Sequence, residues 1–448
     1  MTVAIDAIRE CFEGAVPATV ATASPDGTPN VSYVSQVHYV DREHVALSFQ
    51  FFSKTRENVL ANPRATVLVI HPPTAAQYRL ALRYLRTETA GPLFESMKAR
   101  LAGIASHEGM SAVFRLRGSD VYRVLGVERV RGACVQPSAA RRNHVSAVRN
   151  CAVHLAAATD LAQLLDSLLD GLGREFGIDH AMVLMADEAG QRLYTVASRG
   201  YDASGVGSEI RFGEGVIGVA ARERTPIRIT YMQSEYAYGR TVRDAMAAGD
   251  RARALEAEIP FPGLPDSGSQ LAVPIVAGSR LLGVLYVESA ENGRFGYDDE
   301  DALVALACQL APVAVLLNQP EAVVADEPEA ARAVRPAVTG RPLRVRHYAV
   351  NDSVFVDEDY LIKGVAGAIL WKLLRDHVHD QRVEFSNREL RLDPSIRLPE
   401  LSENLEARLV LLARRLAERC PCIRFEKTGR GRFRLCVARP VVLLDVAA

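Results

Sequence analysis

The apolar residues of this chain change their spacing along its length, and no single fold accommodates the change. Up to about residue 132 they alternate with polar ones, the two-residue period of half-buried strands. ATVATASPDGTPNVSYV shows it, with Pro25-Asp26-Gly27 turning one strand into the next. From Val145 to Phe176 they recur at helical spacing, through Leu155, Leu161, Leu164, Leu165, Leu168 and Leu172. From Gln319 to Pro342 the periodicity vanishes into Ala, Pro, Val and Glu, the composition of a linker. The pattern reads as three units, which suits 448 residues at about 100–200 per domain.

Charge excludes a nucleic-acid contact spread over the whole chain. Lys and Arg total 53 against 54 Asp and Glu, so any such contact needs a local basic surface. Asp6, Arg9, Glu10 and Glu13 interrupt the apolar run that a secretory signal requires. No stretch reads as long enough without charge to span a bilayer. The cysteines, Cys11, Cys134, Cys151, Cys308, Cys420, Cys422 and Cys436, are scattered and odd in number, as free thiols in a reducing compartment are. The expectation is a cytoplasmic protein with no membrane partner.

In the first unit HVALSFQFF supplies a third strand and KTRENVLANP a short helix stopped by Pro63. RATVLVI and YRLALRYLRTET continue the sheet, Gly91–Glu108 reads as a helix, and SAVFRLRGSDVYRVLGVERV as a last pair of strands. FSKTRENVLANPRATVLV places Ser53, Lys54, Thr55, Arg56 and Asn58 at a helix start. Hydroxyl, amide and cationic donors beside helix N–H groups satisfy a dianionic phosphate, although the same residues also make an ordinary polar cap. In strand order, hairpin and this string, residues 1–132 resemble the pyridoxamine-phosphate-oxidase-like split barrels. The resemblance implies that the string holds the phosphate of flavin mononucleotide (FMN) at a homodimer interface. The chain departs from the catalytic members by running into another domain where they carry a substrate strand rich in Arg and Trp. Pyridoxamine oxidation is therefore not expected. Relatives also bind deazaflavin, haem or nothing. His38, His44 and His71 are the candidate haem ligands, but histidines beside strands are more often structural.

The second unit continues with strands HAMVLMAD and RLYTVASRG, the Gly-rich RFGEGVIGVAARERTPIRI, strands LAVPIV and LLGVLYVES, and a helix from Asp298 to Leu317. Gly213–Gly218 spells GxGxxG, yet lacks the βαβ unit and later ribose-binding acid of a dinucleotide site. Glycine there permits a tight entry into a helix. With NGRFGYDDED, these pieces make residues 145–318 resemble a GAF domain, an antiparallel sheet with helices. The resemblance implies a pocket beside GEGVIG, covered by the insert Tyr231–Gln270. Members bind cyclic nucleotides, tetrapyrroles, small aromatics or nothing. Tyr231, Tyr236, Tyr238, Arg240 and Arg243 suit a planar or anionic ligand, and equally a solvated helix with tyrosines at its rim. Asn292, Phe295, Asp299 and Glu300 echo an acidic motif of cyclic-nucleotide-binding members and also suit a helix cap. Cys308 reads as a core residue.

The third unit opens with the hairpin LRVRHYAVNDSVFVDEDYLI, and a helix follows over Lys363–Asp376 with Val365, Ile369, Leu370 and Leu373 inward. Ser386-Asn-Arg-Glu389 is a capping box. A third helix spans Ser402–Arg419, and IRFEKTGRGRFRL alternates around a turn. Residues 343–439 thus resemble a winged helix of the response-regulator type. Asn404, Arg408, Leu411 and Arg415 share one stripe, where a recognition helix would face the major groove. Arg424, Lys427, Arg430, Arg432 and Arg434 make the hairpin basic, as DNA phosphates require. Glu403, Glu406 and Glu418 leave open a merely solvated surface. Cys420, Cys422 and Cys436 lack a fourth ligand, so no metal site is expected. The chain carries no nucleophile elbow, zinc-protease helix or kinase signature.

The expected fold class is multidomain α+β, with a split barrel, a GAF domain, a linker over 319–342 and a winged helix. The expected function is a homodimeric transcription regulator that senses a flavin-linked redox state or a small metabolite and responds on duplex DNA. The alternatives are a flavin-dependent oxidoreductase with regulatory domains, and a scaffold with both pockets unfilled.

Overall fold

A computed structural model describes residues 3–446, apart from 14–15, 35, 50–53, 73, 108–115, 135–142, 231–258, 319–339, 397–404 and 430. After a 3-10 helix over Ile5–Phe12, the alternating hairpin forms β1 (Ala18–Ala23) and β2 (Pro29–Val34), with Gly27 at φ 87° in the turn. They join β3 (Val37–Tyr39), β4 (His44–Phe49), β5 (Arg64–Ile70), β6 (Gln77–Glu88) and β7 (Gly118–Arg129) in one antiparallel sheet ordered β2-β1-β5-β6-β7-β4-β3. The closing pair expected from sequence is, among the described residues, the single long strand β7. Inward residues Val20, Val45, Val67, Leu80, Leu82 and Tyr122 fill the core. Helix α1 (Lys54–Ala61) leaves β4, and α2 (Pro92–His107) links β6 to β7.

The second unit begins with α3 (His144–Ala156) and α4 (Leu161–Phe176). Asp160 caps α4 by accepting from the Gln163 N–H at 2.8 Å, and Gly177 ends it in the left-handed region. The sheet, ordered β10-β9-β8-β13-β12-β11, comprises β8 (His180–Asp187), β9 (Arg192–Arg199), β10 (Glu209–Arg211), β11 (Ile227–Ile229), β12 (Ser269–Ala277) and β13 (Arg280–Ser289). Side chains alternate between its faces. Val183 and Leu285 meet α3, α4 and α6 (Tyr297–Leu317), whereas Met182, Leu184 and Val284 meet α5 (Gly215–Glu223).

Two expectations about α6 are corrected here. Its length and mean hydropathy of 1.7 are enough to cross a membrane, because Asp298–Asp301 precede an uncharged run that the charged start disguises. In this fold its inner face, with Leu303, Leu306 and Leu310, lies in the domain core. Cys308 is exposed rather than buried, since the helical turn carries it away from that face.

The third unit has a four-stranded sheet ordered β16-β15-β14-β20 and a three-stranded one ordered β17-β19-β18. Its elements run β14 (Leu343–Tyr348), β15 (Ser353–Val356), β16 (Asp359–Ile362), α7 (Gly364–Asp380), β17 (Glu384–Ser386), α8 (Asn387–Leu392), α9 (Leu405–Arg419), β18 (Ile423–Gly429), β19 (Arg432–Val437) and β20 (Val441–Val446). The Ser386–Glu389 capping box forms as read. The final strand was not foreseen, and lies parallel to β14 beyond residue 439.

Helix α7 crosses the β14–β15 turn so closely that a Cβ at Gly367 would fall on the Asp352 carbonyl oxygen. Gly367→Ala must push helix and turn apart, and overpacking of this kind costs about 1–3 kcal/mol. Urea unfolding of the variant should show the third unit destabilised by that amount. Unaltered stability would show that the turn yields freely.

Candidate functional site

Helix α1 packs on β1 and β2, so its first turn places side chains at the edge of the sheet. The exposed Lys54 lies 3.5 Å from Glu57. Thr55 Oγ1 accepts from Asn30 Nδ2 at 2.9 Å and lies 2.8 Å from Ser32 Oγ, both on edge strand β2. Arg56 turns inward, its Nη1 donating to both oxygens of the buried Asp120 at 2.6 and 2.8 Å. Its guanidinium lies 4.1 Å from the centroid of the Phe49 ring. Asn58 is buried and donates to Thr22 Oγ1 at 3.1 Å.

The cradle therefore divides. Lys54 and Thr55 stand with the first amides of α1, a combination that fits a phosphate. Arg56 and Asn58 fasten the helix to the sheet. Ser53 lies outside the described residues. Asn30 and Ser32 were missed, although the alternation of β2 places both on the Thr55 side.

Of the histidines, His44 bonds Asp41 at 2.8 Å, and His71 bonds Thr74 at 2.6 Å and Glu10 at 2.7 Å. Both do structural work. His38 belongs to the junction between the first two units. There Arg228 of β11, with no exposed surface, donates to Glu13, to Glu300 at 2.7 Å and to Thr230 at 2.6 Å. Its guanidinium lies over Tyr297, 4.3 Å from the ring centroid. Arg100 of α2 approaches the Tyr297 hydroxyl at 3.4 Å and Glu300 at 3.5 Å. Helix α2 packs on α5 and β11, with Arg222 3.0 Å from Glu95. Burial holds the His38 imidazole well below its ordinary pKa, and the positive charges of Arg100 and Arg228 push the same way. Its Nδ1 is buried with no hydrogen-bond partner among the described residues.

Around the Gly-rich string, α5 starts at Gly215, and a Cβ on Gly218 would strike the Arg211 carbonyl. Asp299 caps α6, accepting from the Gly296 N–H at 2.9 Å, while Glu300 serves Arg228. Tyr231, Tyr236, Tyr238, Arg240 and Arg243 lie outside the described residues.

The expected recognition stripe packs inward. Arg408 is buried, with its guanidinium 3.7 Å from the centroid of the Tyr194 ring on β9 and 3.4 Å from Asp187. Arg415 donates to the Leu361 carbonyl at 2.9 Å. Neighbouring Arg414 pairs with Asp166 of α4 at 2.6 Å and reaches the Val196 carbonyl at 3.3 Å. The physical cause is that β9 and α4 of the GAF domain cover Arg408 and Arg414, while β16 of its own unit covers Arg415. In the hairpin, Lys427 pairs with Asp160 at 2.5 Å, Arg434 with Glu384 at 2.6 Å and Arg424 with Glu426 at 2.8 Å. Arg432 is exposed; Asn404 and Arg430 lie outside the described residues. A cleft of about 800 Å³ lies between the α3–α4 corner, α9 and this hairpin, with Leu161, Leu409, Phe425, Phe433, Lys427 and Arg432 in its walls.

Two family models match the chain, one described as pyridoxamine 5'-phosphate oxidase over residues 4–125 and one as GAF domain over residues 158–313. The first unit is a pyridoxamine-phosphate-oxidase-like domain, and the second is a GAF domain. Solved structures similar to the chain include the GAF domain of an Acinetobacter phosphoenolpyruvate-protein phosphotransferase. It is 21% identical, covers 39% of this chain and 94% of its own, and has a TM-score of 0.30. An FMN-binding protein from Syntrophomonas wolfei subsp. wolfei is 16% identical over 29% of this chain and 91% of its own, with a TM-score of 0.24. Free methionine-R-sulfoxide reductase from Neisseria meningitidis, in complex with its substrate, is 18% identical over 40% and 95%, with a TM-score of 0.30. No curated protein matches the chain.

The half-buried imidazole gives the junction between oxidase-like barrel and GAF domain a pH dependence. Unfolded, His38 titrates near 6.5, whereas in the fold it stays neutral to a lower pH. Below 6.5 the unfolded chain binds a proton that the folded chain refuses. Stability is therefore complete above about pH 6.5 and declines as the pH falls beneath it. Melting curves across this range should show a steeper acid decline for the wild type than for His38→Asn. Superimposable profiles would remove His38 as the cause.

Proposed function

We propose that this chain is a signal-sensing transcription regulator: the oxidase-like barrel and the GAF domain sense, and a winged-helix unit responds on duplex DNA. The observation that carries this reading is the position of α9. The third helix of the last unit lies on β9 and α4 of the GAF domain, which grips the barrel through Arg228. A ligand that shifts the GAF sheet thereby acts on the helix that winged-helix proteins lay in the major groove. The order of strands, three helices and hairpin supports the winged-helix assignment.

With Arg408 and Arg415 held inward, first contact with phosphates falls to the hairpin, through Arg432, Lys427 and Arg434 together with Arg430. Arg408 joins, with Asn404, when the GAF contact opens, and Arg415 joins only when it also leaves the Leu361 carbonyl of its own unit. The GAF ligand is a small planar or anionic molecule met by Tyr231, Tyr236, Tyr238, Arg240 and Arg243. FMN is the proposed cofactor of the barrel, its phosphate held by Lys54, Thr55, Ser53 and the first amides of α1. Arg56 and Asn58 keep α1 in place. The flavin, when bound, supplies the redox state that is sensed. A homodimer through the barrel is favoured by the exposed Val31 and Tyr33 on edge strand β2, beside the cradle. The protein acts in the cytoplasm.

Two measurements test the reading. In FMN titrations followed by flavin fluorescence, Lys54→Ala should weaken binding more than tenfold, since a charge-assisted contact is worth about 1.5–3 kcal/mol. Equal affinity for variant and wild type would remove the cradle assignment. In anisotropy titrations of the full chain with duplex DNA, affinity should fall with salt, and Arg432→Ala should lower the salt slope by about one. Asp166→Ala, which removes the carboxylate partner of Arg414 and leaves it only the Val196 carbonyl, should tighten binding. If neither wild type nor Asp166→Ala binds DNA at low salt, the last unit is a protein-interaction module and the regulator reading fails.

A further inference from the structure

We infer that Cys420-Pro421-Cys422 is a redox-active dithiol turn that closes to an intramolecular disulfide under a peroxide or a small-molecule disulfide. Helix α9 ends at Arg419 and β18 begins at Ile423, so these three residues are the whole connection between helix and hairpin. Residues two apart along an extended strand lie about 6.5 Å apart and their side chains run parallel. The turn brings the two sulfurs to 3.2 Å instead. Three backbone bonds fix the approach: Cys420 N–H to Leu416 at 2.7 Å, Ile423 N–H to Cys420 at 3.0 Å, and Ala438 N–H to Cys422 at 2.9 Å. Closure thus asks for side-chain rotation and little backbone movement.

The two thiols are unequal. Cys420 is 3% exposed, and burial pushes its pKa up to about 12, so it stays protonated and screened. Cys422 is half-buried and therefore the entry point. With hydrogen peroxide, the Cys422 sulfur attacks one oxygen, the O–O bond breaks, and a Cys422 sulfenic acid and one water result. The Cys420 sulfur then attacks that sulfur, the S–O bond breaks, and its proton leaves with the hydroxide as a second water. Two thiols lose two electrons in all, and the peroxide gains them. With a small disulfide, Cys422 forms a mixed disulfide and releases one thiol, and Cys420 displaces the second. An external dithiol reverses either route.

Cys436 offers no competing chemistry. It lies on β19, across from Arg424 of β18, beyond the three-residue turn. Among the described residues no group of three His, Cys, Asp or Glu is placed to hold a metal. The disulfide would stiffen the joint between α9, which carries Arg408 and Arg414, and the hairpin, which carries Lys427, all three of which pair with the GAF domain. The inference stands whether or not the unit binds DNA.

Tryptic mapping of the full chain tests it directly. Cleavage after Arg419 and Arg424 isolates a peptide holding Cys420 and Cys422 alone, while Cys436 falls in the peptide beginning at Leu435. After hydrogen peroxide or diamide, denaturation and alkylation, the first peptide should be unalkylated and lighter by two hydrogens than its reduced form. Dithiothreitol should restore double alkylation. Cys436→Ser should leave closure unchanged, and Cys422→Ser should leave Cys420 alkylatable. A doubly alkylated peptide after oxidation, sulfinic acid on Cys422 alone, or a cross-link to the Leu435 peptide would each overturn the inference.

Discussion

A guanidinium with no exposed surface cannot stand alone, and the arrangement of the first two domains follows from satisfying Arg228. Removing an arginine from water costs several kcal/mol unless carboxylates and other acceptors replace its hydration. Glu13 comes from the end of the first 3-10 helix, Glu300 from α6, and Thr230 from just beyond β11 itself. The barrel must therefore sit where Glu13 meets β11, and α6 must begin where Glu300 faces the same spot. Tyr297 closes the group beneath Arg228 and Arg100, and Asp301 adds a pair with Arg9 at 2.7 Å. An ion pair of this kind is weak evidence for net stability but strong evidence for position, because few other placements leave both charges paired.

Local chemistry was legible in the sequence where one segment contains its own reason. The Pro25-Asp26-Gly27 turn, the start of α1, the cap of α4 and the Ser386–Glu389 box all depend on residues within a few positions of one another. What the sequence concealed depends on distant partners. Arg228 looks like an ordinary polar residue of an alternating strand, and Glu13 lies 215 residues away. The strand β20 carries no turn signature and makes sense only beside β14. Cys308 sits in the uncharged run of α6, where hydrophobicity alone does not say which face is covered.

The same limit explains the cradle and α9. Donor types around α1 pointed to a phosphate, yet only the barrel shows that Arg56 is committed to Asp120 while Lys54 stays outside. On α9, helical spacing correctly gathered Arg408 and Arg415 on one face. Periodicity says which residues share a face, not what lies against it. Tyr194 and Asp187, more than 200 residues earlier, cover Arg408.

The parallel pairing of β14 with β20 has a mechanical consequence. Residues Leu343 to Tyr348 match Val441 to Val446 in register, and Leu343 is where the chain enters the third unit from the linker. A pull along the linker acts along the axis of β14 and loads its ladder bonds together, in shear, rather than peeling them one at a time. A unit attached in this way resists tension as a rigid body.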